Sequence, residues 1–130
     1  MARKPSSHLT DAELRLMDVL WTKGAATVAE VLESLPGQPP LAYSSVITIL
    51  RILETKGYVR HSKEGRAFHY EPLVARQQAR RSAIAQVLQR FFDGSPELLM
   101  ASLFEDRAID ARELRRLRKL IDQSNPEKQA

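Results

Sequence analysis

Leu14, Leu16, Met17, Leu20 and Trp21 recur at the three- and four-residue spacing of a helix. Thr10 and Glu13 stand ahead of them as a capping box, Leu9 with Leu14 has the spacing of a hydrophobic staple, and Gly24 ends the run. Thr27 with Glu30 repeats the capping box and opens a short helix through Val28, Val31, Leu32 and Leu35. Pro36-Gly37-Gln38-Pro39-Pro40 breaks it. A third helix is predicted over 43–56, with Gly57 just past its end. Its buried stripe is Val46, Ile49, Leu50 and Leu53; Ser44, Ser45, Ile47, Thr48, Arg51 and Thr55 lie largely on the other side. Tyr58-Val59-Arg60-His61 has strand character, Lys63-Glu64-Gly65-Arg66 supplies a turn, and Ala67-Phe68-His69-Tyr70 returns. With an even loop, Val59 pairs with Tyr70 and His61 with Phe68, which gathers Val59, Phe68 and Tyr70 on one apolar face. Trp21, Phe68 and Tyr70 are therefore expected in the core.

From residue 73 the pattern becomes a long helix to about 92, with Ala79, Ala83, Ile84, Val87, Leu88, Phe91 and Phe92 as its stripe. Asp93-Gly94 ends it. Ser95-Pro96-Glu97 then starts another helix, which carries Leu98, Leu99, Leu103 and Phe104. Asp110 with Glu113 caps a last one, striped by Leu114, Leu117, Leu120 and Ile121. Three helices cannot cover that much apolar stripe among themselves, and a second copy of the chain is the economical cover. The expected dimer surface is Ile84, Val87, Leu88 and Phe91 on the long helix, Leu99 and Leu103 on the next, and Leu114, Leu117, Leu120 and Ile121 on the last. The fold class is thus mainly α with a small β-hairpin: an N-terminal winged helix-turn-helix followed by a C-terminal three-helix dimerisation region. The expected organisation is a flexible tail (1–8), a winged-helix domain (9–72), a helical dimerisation domain (73–123) and a disordered tail (124–130).

The outer face of the third helix gives this fold its candidate chemistry. It is short, rich in hydroxyls and carries one Arg, so it suits a major groove about 12 Å wide. Tyr43, Ser44, Ser45, Thr48 and Arg51 are the expected base-reading residues, with Ile47 set to touch a thymine methyl or to pack. Thr27, Lys56, Arg60, Lys63 and Arg66 are the expected backbone contacts. Ile47-Thr48 carries a mid-helix propensity cost, which weighs against a purely decorative surface.

Composition adds exclusions. The 130 residues are 43% hydrophobic and 28% charged, with a net charge of +4. Balanced charge and plentiful aliphatics exclude a disordered chain. No apolar run reaches the roughly 18–20 residues that spanning a membrane needs, and Met1-Ala2-Arg3-Lys4-Pro5 leads into no apolar stretch, so no secretory signal is expected. The absence of cysteine excludes a disulfide framework, a thiolate metal site and a cysteine nucleophile. A cytoplasmic location fits. His8, His61 and His69 are scattered, so neither a metal site nor a cofactor is expected. No Gly-x-Ser-x-Gly, phosphate-cradling loop or His-Glu-x-x-His is present, so the chain does not read as an enzyme. Charge is uneven: Asp11, Glu13, Asp18, Glu30 and Glu33 outweigh Arg15 and Lys23, whereas residues 40–72 are net basic. Arg112, Arg115, Arg116, Arg118 and Lys119 read first as the solvated face of the last helix.

Several segments add a resemblance. Leu9-Thr10-Asp11-Ala12-Glu13 and Trp21 are followed by Thr27-Val28-Ala29-Glu30-Val31. Then comes Leu41-Ala42-Tyr43-Ser44-Ser45-Val46-Ile47-Thr48-Ile49-Leu50-Arg51, continuing through Leu53, Lys56 and Gly57. Gly65-Arg66-Ala67-Phe68-His69-Tyr70 with Pro72 follows, and Ser102-Leu103-Phe104-Glu105-Asp106 and Glu113-Leu114-Arg115-Arg116-Leu117 close the series. In this order and spacing the chain resembles the BlaI/MecI/CopY penicillinase-repressor family of bacteria over residues 9–122. The resemblance implies a homodimeric transcriptional repressor that binds double-stranded DNA at an inverted-repeat operator through the winged helix and dimerises through its C-terminal helices. In β-lactam-responsive members a BlaR-type membrane metalloprotease sensor triggers cleavage of the repressor; the matching region here is Ser102-Leu103, where such members have Asn-Phe. Copper-responsive members sense metal through C-terminal cysteines, which this composition excludes. Ile52 stands where many members carry Arg or another polar residue. The alternative reading is a winged-helix module whose third helix and hairpin contact protein rather than DNA; a winged-helix regulator with a small-molecule pocket is a third, for which three C-terminal helices leave little room.

Overall fold

The structure, a computed structural model, describes residues 8–37, 39–106 and 109–124. The Arg3-Lys4 segment, Gln38 and the polar tail from Asn125 lie outside the described residues. The element order is α1 (Asp11–Lys23), β1 (Ala26–Thr27), α2 (Val28–Ser34), α3 (Tyr43–Lys56), β2 (Val59–Glu64), β3 (Ala67–Pro72), α4 (Arg76–Phe91), α5 (Pro96–Glu105) and α6 (Ala111–Ser124). Two compact units are formed, Met1–Gln86 and Val87–Ala130. Among the described residues no helix is long and apolar enough to cross a membrane.

The first unit is built around α3. Val46, Leu50 and Leu53 are fully buried, as are Leu16, Met17 and Leu20 of α1 and Val31 of α2. Both expected capping boxes form: Thr10 Oγ1 accepts from the Glu13 N–H at 3.2 Å, and Thr27 Oγ1 from the Glu30 N–H at 3.2 Å. Gly57 closes α3 at φ +91°, a left-handed conformation that favours glycine, and returns its N–H to Leu53 and Glu54. Leu9 packs against the core but Leu14 is exposed. Trp21 is partly buried, and its Nε1 donates to the Val74 carbonyl at 2.8 Å. Val74 and the first turn of α4, at Ala79, join the same core.

Besides the exposed Leu14, three features differ from the sequence expectation. β1 makes the sheet three-stranded, in the order β1-β3-β2, with Ala26 opposite Tyr70 and Thr27 opposite His69; two residues carry no readable periodicity. The hairpin loop holds two residues, Gly65 and Arg66, so the register slides by two: Val59 faces Pro72, His61 faces Tyr70 and Lys63 faces Phe68. Gly65 sits at φ +62° in the first loop position, which permits so tight a turn. The shift is even, so Val59, Phe68 and Tyr70 keep one face. Phe68 nevertheless is not core: Tyr70 and Val59 are buried, whereas Phe68, nearer the hairpin tip, is 46% exposed.

In the second unit, the Ser95 hydroxyl accepts from the Leu98 N–H at 3.2 Å and Asp110 Oδ1 from the Glu113 N–H at 2.8 Å, so both caps form as expected. Among its described residues α5 and α6 bury nothing fully. Phe91 is 70% exposed and Leu120 60%.

Among the described residues Glu13 is the one charged residue in the core, 3% exposed. Its Oε1 accepts from Lys56 Nζ at 2.8 Å and from the Thr10 N–H at 2.7 Å, tying the start of α1 to the end of α3. Burial pushes its carboxyl pKa up, but the bond from Lys56, the bonds from Thr10 and the Lys56 charge outweigh it, leaving a net shift below the ordinary 4.5. A depressed folded-state pKa contributes stability that is present above the unfolded value and lost as pH falls through the folded one. Glu13→Gln is therefore expected to be less stable than the parent by about 1–3 kcal/mol at pH 7, with the gap closing in urea titrations carried down to about pH 3. A gap that stays constant with pH would remove the ion pair as its cause.

Candidate nucleic-acid interface

Because Val46, Leu50 and Leu53 face inward, helical spacing turns Ser44, Thr48, Arg51 and Ile52 outward. All four are exposed. The Thr48 hydroxyl donates to the Ser44 carbonyl at 3.0 Å, so only its lone pairs face outward, as an acceptor. Ser45 is half-buried and, with Ser44 and Thr48, lines a shallow depression that also touches Leu41 and Ile49.

A second flank of α3 faces the wing. Tyr43, Ile47, Arg51 and Glu54 line one wall of an open groove of about 770 Å³. Thr27 and the start of α2 form its end, and His61, Arg66, Phe68 and Tyr70 its other wall. Of the residues expected from sequence, Thr27, Tyr43, Ile47, Arg51 and Arg66 thus meet around one groove. Lys63 stands beside it, with Nζ 5.7 Å from the Phe68 ring centre.

Two expected backbone contacts do not join them. Lys56 is taken up by Glu13 and also donates to the His8 carbonyl at 3.3 Å. Arg60 points to the other face of the sheet, because strand alternation separates it from His61 and Lys63, and its Nε donates to Glu71 directly across the ladder.

Glu54, His61 and Phe68 are among the groove residues that the sequence did not mark as site residues. Both Glu54 carboxylate oxygens contact His61 Nδ1, at 2.7 and 2.8 Å, and the His61 N–H donates to Glu54 Oε2 at 3.2 Å. The His61 ring meets Phe68 edge-on at 5.4 Å and Tyr70 at 5.7 Å. Burial pushes the Tyr70 hydroxyl pKa up, the Glu54 charge adds to this, and Arg51 pulls it the other way. The signal for Glu54 was present in the sequence: it falls seven residues after Ile47, on the same helix flank.

Three helices with a three-stranded antiparallel wing, and a recognition helix whose outer face is polar, define a winged helix-turn-helix. A solved structure described as the DNA-binding domain of the repressor BlaI superposes with a TM-score of 0.51 at 32% identity, covering 58% of this chain and 93% of that one. The sequence profile of the penicillinase repressor family matches residues 9–123, and the chain belongs to that family. It is 26% identical over 120 residues to the penicillinase repressor of Bacillus licheniformis, covering 92% of this chain and 94% of that one. It is also 20% identical over 115 residues to the methicillin resistance regulatory protein MecI of Staphylococcus aureus strain N315, covering 88% and 94%. The family is one of transcriptional repressors, not of enzymes.

The corrected place of Phe68 is directly testable. Phe68→Ala should cost less than about 1 kcal/mol of unfolding free energy, as for an exposed side chain. Tyr58→Ala, at a fully buried ring, should cost about 3–5 kcal/mol. Equal losses in denaturant titrations would return Phe68 to the core.

Proposed function

We propose that this chain is a homodimeric, sequence-specific DNA-binding repressor that recognises an inverted-repeat operator. The observation that carries the reading is the outer face of α3. It is exposed, polar and Arg-bearing, while Val46, Leu50 and Leu53 on its inner face are fully buried, and it stands beside a wing whose Arg66 lines the same groove and whose Lys63 lies over Phe68 in it. Tyr43, Ser44, Ser45, Ile47, Thr48 and Arg51 read bases; Thr27, Lys63 and Arg66 hold the backbone. Ile52, exposed on the same face, offers an apolar surface rather than a hydrogen bond.

The dimer reading rests on apolar side chains that are exposed among the described residues. Val87, Phe91, Leu120 and Ile121 are all exposed, as is Ile84, and Leu88, Leu99, Leu103, Leu114 and Leu117 are only half-buried. A twofold partner presents two recognition helices to the two halves of an inverted repeat. Release by a signal from a BlaR-type membrane metalloprotease sensor, acting in the cytoplasm near Ser102-Leu103, follows from the family resemblance. Ser102 and Leu103 lie inside α5 and are half-buried, so cutting there requires that helix to open first.

Selection of bound duplexes from a random pool, with light scattering for mass, tests the whole reading. An enriched inverted repeat and a dimer mass are expected; no enrichment from a folded chain would favour a protein-binding module. On the selected duplex, Arg51→Ala should flatten preference at particular base pairs by about 1–3 kcal/mol. Lys63→Ala and Arg66→Ala should instead weaken all duplexes alike and each lower the salt slope by about 1. Leu117→Glu should shift the scattering mass toward monomer, and an unchanged dimer would move the interface away from α6.

A further inference from the structure

Among the described residues, Glu54 is the one acid that lines the groove between α3 and the wing. An unpaired carboxylate there would face the phosphates that Arg66 and Lys63 attract. It is not unpaired. Both of its oxygens engage the His61 ring nitrogen and one accepts the His61 backbone N–H. With a carboxylate as acceptor, Nδ1 carries the hydrogen. The imidazole is itself wedged between Phe68 and Tyr70, at ring separations of 5.4 and 5.7 Å. Tyr70 belongs to the core, so the wedge is anchored at its base. This is a direct polar link between the recognition helix and the wing, made by a side chain on the α3 flank and one on β2.

We propose that His61 is a positioning residue for DNA binding: it draws the Glu54 carboxylate onto the wing, masks its charge from the DNA backbone and thereby sets how the wing meets the recognition helix. This rests on the DNA-binding reading above. Its content is separate, because the two residues need not contact DNA. They determine whether the groove presents its cations alone or its cations plus an opposing charge.

The test is a cycle of variants on the selected duplex, read by fluorescence anisotropy at about 50 and 200 mM salt, with thermal unfolding as the check on folding. His61→Ala should bind about three- to tenfold more weakly than the parent at low salt, with the deficit shrinking as salt screens the freed carboxylate. Glu54→Gln combined with His61→Ala should recover most of that loss, because the repelling charge is gone. His61→Asn, whose amide nitrogen occupies the place of Nδ1, should bind within about twofold of the parent. His61→Ala binding as well as the parent would overturn the proposal while leaving the repressor reading intact. A double variant no better than His61→Ala, or His61→Asn as weak as His61→Ala, would overturn it equally. A parent chain that binds no duplex overturns the repressor reading, and this proposal with it.

Discussion

Val46, Leu50 and Leu53 are entirely out of solvent, and most of the first unit follows from that burial. A helix of 14 residues that commits one face to Leu16, Met17 and Leu20 has no choice about the other. The positions between must face out, and they are Ser44, Thr48, Arg51 and Ile52. The polar face is thus held at a defined angle by apolar packing, and its side chains are not needed to hold the helix in place. The Glu13–Lys56 pair pins the far end of the same helix to α1, away from the groove.

The wing depends on the same core. Tyr58 and Val59 are buried immediately after Gly57 reverses the chain, and Tyr70 is buried on the returning strand. The root of the hairpin is therefore packed while its tip is not. That gradient explains why Phe68 lies open beside Lys63, whereas Tyr70, two residues further along the same face, does not. β1 adds a third strand by pairing with β3 at Tyr70 and His69, joining the start of α2 to the wing. Thr27, which caps α2, is carried to the end of the groove by that pairing.

The second unit presents the opposite balance. Ser95 and Asp110 cap the starts of α5 and α6, yet Phe91, Leu98, Phe104, Leu120 and Ile121 remain exposed. Helices with good caps and uncovered stripes have local structure without a closed core, and most helical stability in proteins comes from packing. The dimer proposed above would cover that apolar surface.

Caps, stripes and stops are local, and they were legible in the sequence: both Thr-Glu capping boxes, Ser95 with Pro96, Asp110, Gly57, and the division of α3 into apolar and hydroxyl faces. The side-chain parity of the hairpin was legible too, because alternation has a period of two and survives an even shift. What alternation does not encode is how far along the strand the core extends, so Phe68 and Tyr70 looked alike. A two-residue strand such as β1 has no pattern of its own and exists only because β3 lies beside it. The same holds for charge. In the sequence Lys56, Arg60, Lys63 and Arg66 are equivalent cations. Three-dimensional proximity gave Lys56 to Glu13 and Arg60 to Glu71, and left Lys63 and Arg66 beside the groove. Periodicity therefore determined which face of each element is apolar, since that depends on neighbours in sequence; only the tertiary structure decided which charges are already paired, since that depends on neighbours in space.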